Sequence, residues 1–195
     1  MEFAELIDKI RSHYVQRLME AIAAERASSD ATVVHEPALR NGSGEIVRAG
    51  PLDTPSRIDI VKAKEGEVVD SINVNPANML SFPQFTLTWP TGEMALTVEP
   101  FQWHWLQIQT TATPGSDDWQ TLRGWYIKWF GETDPAPDQL SGAVHYFADP
   151  QINGANIELT IDLGTSPIEA FEELLDALSA FGAQEVRLGQ FADES

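Results

Sequence analysis

The side chains able to do chemistry are scattered along this chain rather than grouped. Four histidines stand at positions 13, 35, 104 and 145. No two are four residues apart, and His35-Glu36 runs into Pro37, so the helical His-Glu-x-x-His arrangement of zinc proteases is absent. There is no cysteine, which removes thiol catalysis, disulfides and thiolate metal sites. Gly42-Ser43-Gly44 is too short for a nucleophile elbow and falls at a turn. Neither a phosphate loop nor a dinucleotide fingerprint occurs, and Asp117-Asp118 lacks the alternating acids and central glycine of a calcium loop. A carboxylate pair acting in catalysis, or zinc held by His and carboxylates, needs no local motif. The sequence therefore names no catalytic residue, no metal ligand and no cofactor.

Two constellations remain. The first is a run of acids, Glu169, Glu172, Glu173 and Asp176, on the outer face of a helix near the C-terminus. Glu169, Glu173 and Asp176 are near one another, with no basic residue one turn away to neutralise them. Like charges at this spacing cost a few tenths of a kcal/mol each. The patch either maintains solubility or waits for the lysines and arginines of a partner. The second constellation is aromatic. All six Trp lie between positions 89 and 129, and Phe101, Trp103 and Trp105 would project to one side of a strand. Such a row normally fills a core. If exposed, it would stack on sugars or bases, or anchor a protein interface. His104, on the other face of that strand, would be a surface residue.

Charge narrows the choice. The formal net charge is −18. Residues 129–195 carry thirteen acids against one base, Arg187, whereas residues 1–128 carry seventeen acids and eleven bases. Phosphate backbones and anionic lipid repel such a chain, so nucleic-acid and membrane-surface roles are not expected. A basic protein partner is. The first turns carry Glu2, Glu5 and Asp8, unlike a secretory leader, and no apolar run approaches 18 residues. A soluble, cytoplasmic protein is the expectation.

The elements that must position these groups are uneven in clarity. The plainest is the strand–helix–strand unit over 156–188. Ile157, Leu159, Ile161 and Leu163 alternate with polar residues, as in a strand. Ser166-Pro167-Ile168-Glu169 looks like a capping box, followed by an apolar stripe of Ile168, Phe171, Leu174, Leu175, Leu178 and Phe181, with Gly182 as the stop. Residues 184–188 form a second strand. The N-terminus is an amphipathic helix over 2–27, with Phe3, Leu6, Ile7, Ile10, Tyr14, Leu18 and Ile22 on one face. That face packs on its own domain or, in a second reading, docks a partner or a second copy.

Residues 28–57 are polar and loop-rich. Asn41-Gly42 should turn one short strand near 32–34 into another at 45–48. Strand patterns then follow, with a hairpin over 85–98, within an antiparallel meander. Ser116-Asp117-Asp118 opens a Trp-rich helix ending near Phe130, and 143–148 is a strand. The expected fold is α+β in a single domain: residues 1–27 are the N-terminal helix (an appendage in one version), 28–57 the loop-rich segment and 58–188 the core. The leading functional expectation is a non-enzymatic acidic interaction protein of the toxin-neutralising, immunity type. The alternative is a small-molecule or carbohydrate binder, or an enzyme, using the Trp-rich region 89–129.

Overall fold

The computed structural model describes residues 2–75, 78–111 and 119–191. The expected helix start at Ser116-Asp117-Asp118 lies outside them. In chain order the elements are α1 (Phe3–Ser28), β1 (Thr32–His35), β2 (Arg48–Ala49), β3 (Thr54–Pro55), β4 (Ile60–Lys64), β5 (Glu67–Ile72), β6 (Phe85–Trp89), β7 (Met94–Val98), β8 (Leu106–Thr111), α2 (Trp119–Phe130), β9 (Tyr146–Phe147), β10 (Gln151–Asn153), β11 (Asn156–Asp162), α3 (Ile168–Phe181) and β12 (Glu185–Gly189). The fold is α+β, with mostly antiparallel sheets among the described residues.

The main sheet runs β10-β11-β8-β12-β7-β6, with β9 added beside β11. β11 and β12 both lie antiparallel to β8, on either side of it. The crossover through α3 thus skips one strand. β12 lands against β7 in parallel register, Val186 opposite Leu96. The expected meander is broken at this point. β7 and β8 follow one another in sequence, yet the last strand of the chain separates them. The hairpin of β6 and β7 forms as its alternation suggests, Phe85 opposite Val98.

Apolar side chains of β7, β8, β11 and β12 pack with α2, α3 and α1 in one core. Leu6, Ile7, Ile10, Tyr14, Leu18 and Ile22, the stripe of α1, are all buried there. The chain itself covers that stripe. Gly182 adopts the left-handed conformation that ends α3, and the amide of Ala183 returns to Leu178 O, the bond pattern of a Schellman cap. The start of α3 differs from expectation. Pro167, not Ser166, precedes the first helical residue, and no side chain caps it. The Ser166 hydroxyl instead donates to Leu163 O at 2.6 Å, so the capping box does not form.

A smaller sheet, β1-β4-β5, stands beside the main one. β1 pairs with β4, not with residues 45–48, which correspond to no partner strand of β1. Asn41 still makes its turn: its Oδ1 accepts the amides of Ser43 and Glu45. Residues 143–148 give only the two-residue β9 beside β11, because the Val144 amide bonds Trp129 O rather than the sheet. No helix among the described residues is long and apolar enough to cross a membrane.

Candidate functional site

The acids of α3 do not form one free patch. Glu169, Glu172 and Asp176 are exposed, and Glu173 is half-buried. Lys128 of α2 reaches Glu173 with Nζ at 2.6 and 2.8 Å from its two carboxylate oxygens, and the Trp129 indole donates to it as well. The positive neighbour missing along α3 is supplied by the helix packed beside it. These donors hold Glu173 below the usual carboxylate range. Asp176 accepts the Trp89 indole N–H at 2.8 Å. Glu169 and Glu172 remain without a cation among the described residues.

The aromatic row is a correction. Residues 101–105 are a tight turn in which Gln102 bridges Trp105, not a strand. Phe101 and Trp103 are buried at 1% exposure, while Trp105 is 48% exposed. The three side chains therefore share no surface. Phe101 and Trp103 close on Phe171 of α3, with ring centroids 6.3 and 5.8 Å apart. His104 does not face solvent freely. It stacks on Tyr14 at 5.6 Å, and burial holds its pKa below the ordinary imidazole value. A crevice between α1 and this turn, lined by Ile10, His13, Tyr14, Met79 and Trp103, has room for about one water. Acrylamide should quench wild-type fluorescence partially, and Trp105→Phe should lower the quenchable fraction, the half-buried Trp89, Trp119 and Trp129 supplying the rest. An unchanged Stern–Volmer slope in that variant would contradict the placement of Trp105.

The densest titratable cluster was invisible in the sequence. Glu36 follows β1, Asp59 precedes β4, His145 precedes β9 and Asp162 ends β11. They converge in the interior. His145 Nε2 lies 2.7 Å from Glu36 Oε1, and Nδ1 lies 3.0 Å from Asp59 Oδ1. Asp162 Oδ2 stands 3.9 Å from the same Nδ1. Glu36, Asp59 and His145 are buried, and the Asp162 side chain keeps 23% exposure.

Each carboxylate is anchored. Glu36 also accepts the Ser141 amide, the Ser141 hydroxyl and the Thr165 hydroxyl. Asp59 accepts the Tyr14 hydroxyl at 2.7 Å and the Val74 amide at 2.6 Å. Asp162 Oδ1 accepts the Gly164 amide. Gly164 sits at φ 53 against the imidazole ring and His145's neighbour Ala143, where a side chain would collide with both.

Electrostatics follows from these contacts. Burial alone would lower the His145 pKa, but the bonds to Asp59 and Glu36 and the charge of Asp162 overcome it and raise the value to about 10. The ring is an imidazolium donating from both nitrogens. Burial would raise Glu36, yet the His145 bond and charge and the two hydroxyls bring it down to about 2. Asp162 goes the other way. Burial pushes it up to about 7, aided by the charges of Asp59 and Glu36 and opposed by His145 and the Gly164 amide.

The sign of the pH dependence can be worked out group by group. His145 contributes stability fully below its unfolded value of 6.5, and loses it as pH rises to about 10. Glu36 contributes fully above 4.5 and loses it as pH falls to about 2. Asp162 favours the fold below 3.8 and ceases to as pH rises through about 7. Unfolding midpoints against pH should therefore peak near pH 4.5, where Glu36 is already charged and Asp162 still holds its proton, and decline as pH rises through about 7 toward about 10. A maximum above pH 8 would contradict this assignment.

No family model, no curated protein sequence and no solved structure matches this chain. The chemistry must be judged from its own geometry. His145 is buried between two carboxylates that engage both of its nitrogens. The cluster joins α1, the small sheet and the main sheet.

Proposed function

We propose that the chain is a non-enzymatic interaction protein that captures a basic protein, with a toxin-neutralising, immunity-type inhibitor as the concrete form. The observation that carries this reading is the fate of the positive charges. Ten of the twelve Lys and Arg are engaged in ion pairs with the chain's own carboxylates. Arg11 and Arg26 are turned onto backbone carbonyls of Ser166 and Pro137. Every Lys and Arg is thus engaged within the chain, while Glu169, Glu172 and Asp176 face outward. Glu169 and Glu172 on α3, with Asp176 beside them, are the contacts assigned to a basic partner, while Glu173 belongs to the α2–α3 contact.

Exposed ion pairs contribute little stability. Their effect here is to leave the net charge of −18 to unpaired acids, and that charge steers a basic protein toward the chain. The test is capture from lysate of the source cells on immobilised protein, at low and high salt. A single basic protein in stoichiometric amount is expected, with its association rate falling roughly ten-fold or more at high salt. Charge reversal at Glu169 and Glu172 should weaken that capture with the fold intact. Unchanged affinity in the reversed variant would remove the reading's support.

A further inference from the structure

We propose that His145 Nδ1, Asp59 and Asp162 form a binding site for one divalent transition-metal ion, of which zinc best fits the donors. This proposal is independent of the partner-binding reading, since it uses none of the surface acids.

Three features of the cluster point to a metal. The first is ligand geometry. The three donor atoms lie within 4.8 Å of one another. The two measured separations from Nδ1, 3.0 Å to Asp59 and 3.9 Å to Asp162, straddle the spacing of about 3.4 Å between ligands on a tetrahedral zinc ion. The second is orientation. Histidines that bind metal through one nitrogen usually give the other N–H to a carboxylate, which fixes the ring and raises its basicity. Glu36 occupies that place behind Nε2, itself held by Ser141 and Thr165. Asp59 and Asp162 are likewise steadied by Tyr14, Val74 and Gly164.

The third feature is charge. Glu36, Asp59 and Asp162 surround one imidazole. Arg57, a buried guanidinium, is spent on the carbonyls of Glu36, Phe130, Gly131 and Thr133 and on Asp134. Three carboxylates thus gather around one imidazole, a donor set that suits a divalent cation. Asp162 Oδ2 accepts no hydrogen bond among the described residues, and it is the oxygen that faces Nδ1. Its partial exposure gives an ion a way in and leaves a coordination position for water.

Binding is a simple exchange. The proton between Nδ1 and Asp59 leaves to solvent, the metal takes its place, and Asp162 closes as the third protein ligand. One imidazole and two carboxylates suit zinc, which accepts both nitrogen and oxygen. Calcium would require six or more oxygens and magnesium an octahedral oxygen shell. The bound ion would link the small sheet and the main sheet through a single point, with Tyr14 of α1 bonded to one of its ligands.

The experiment strips the full-length protein with EDTA and titrates it with Zn²⁺ by calorimetry and with Co²⁺ by visible absorption. One ion per chain is expected, with a Co²⁺ band of the intensity that four- or five-coordination gives and an upward shift of the thermal midpoint. Asp162→Asn removes one like charge from the cluster and should keep its far-UV spectrum. Its affinity for Zn²⁺ should fall at least a hundred-fold, while Glu169→Gln binds as wild type does. The histidine ¹⁵N spectrum of the wild type offers a check that needs no variant: the Nδ1 resonance of the single fully buried imidazole should move on Zn²⁺ addition. Absence of stoichiometric binding, an unmoved Nδ1 resonance, or unchanged affinity in a folded Asp162→Asn would overturn the proposal. The last result would place the ion on surface carboxylates.

Discussion

Replacing His145 with alanine is expected to destabilise the metal-free fold by about 3–5 kcal/mol, the range found when one partner of a buried charge pair is removed. The imidazolium separates two buried carboxylates, Glu36 and Asp59, and bonds to both. Without it they face one another across a cavity lined by Gly164, with Asp162 adding a third negative charge. At least one carboxylate would have to take up a proton, so the variant's stability should rise as pH falls from 7 to 5 more steeply than wild type's. Urea unfolding of EDTA-treated protein at both pH values measures this. A loss below about 1 kcal/mol would show that the cluster is not sealed as the structure has it. His145→Ala combined with Glu36→Gln and Asp59→Asn should recover part of the loss, because the stranded charges go with their cation. The recovery is incomplete, since the amides replacing Glu36 would still meet three donors built for a carboxylate.

The visibility of these features in the sequence depended on how local their causes are. The stripe of α1, the stripe of α3 with its glycine stop, and the alternation of β6 and β7 are periodic patterns over neighbouring residues, and each formed. The capping box at Ser166 also looked local, but its hydroxyl found Leu163 O, three residues back, before it could serve the helix. The order of the main sheet depended on a contact between β12 and β7, which no periodicity encodes.

The same holds more strongly for the buried cluster. Glu36 and His145 are separated by 109 positions. Each of the four residues sits in an unremarkable local pattern, and only the fold brings them together. Glu36 adopts φ 51 just before Pro37, a conformation that a non-glycine residue takes at some cost and that no composition rule would assign. Four donors on its carboxylate repay that cost. The acids of α3 carry the opposite lesson. They were plain in the sequence, and what could not be read was that Lys128, from another helix, would claim Glu173.

The aromatic region allows the second large effect to be tested against its own neighbour. Phe171 is fully buried, and its ring meets Phe3 of α1 at 6.2 Å, Phe101 at 6.3 Å and Trp103 at 5.8 Å. It therefore joins α3, α1 and the turn before β8 at one point. Phe171→Ala removes that ring from a close-packed site whose other members are held by separate elements and cannot all move inward. The expected loss is about 3–5 kcal/mol, as for large aromatic truncations in cores. For a chain of this length that lowers the thermal midpoint by roughly 10 °C, since each kcal/mol is worth about 2–4 °C. Trp105→Ala removes a larger ring only a few residues from Phe101, yet its side chain is exposed, and the change should stay within about 0.5 kcal/mol. In the sequence both stand in apolar rows, Phe171 on the stripe of α3 and Trp105 beside Phe101 and Trp103, and only the fold separates them. Equal losses from Phe171→Ala and Trp105→Ala, by urea unfolding under one set of conditions, would mean that Trp105 is packed and that the turn over 101–105 is wrong.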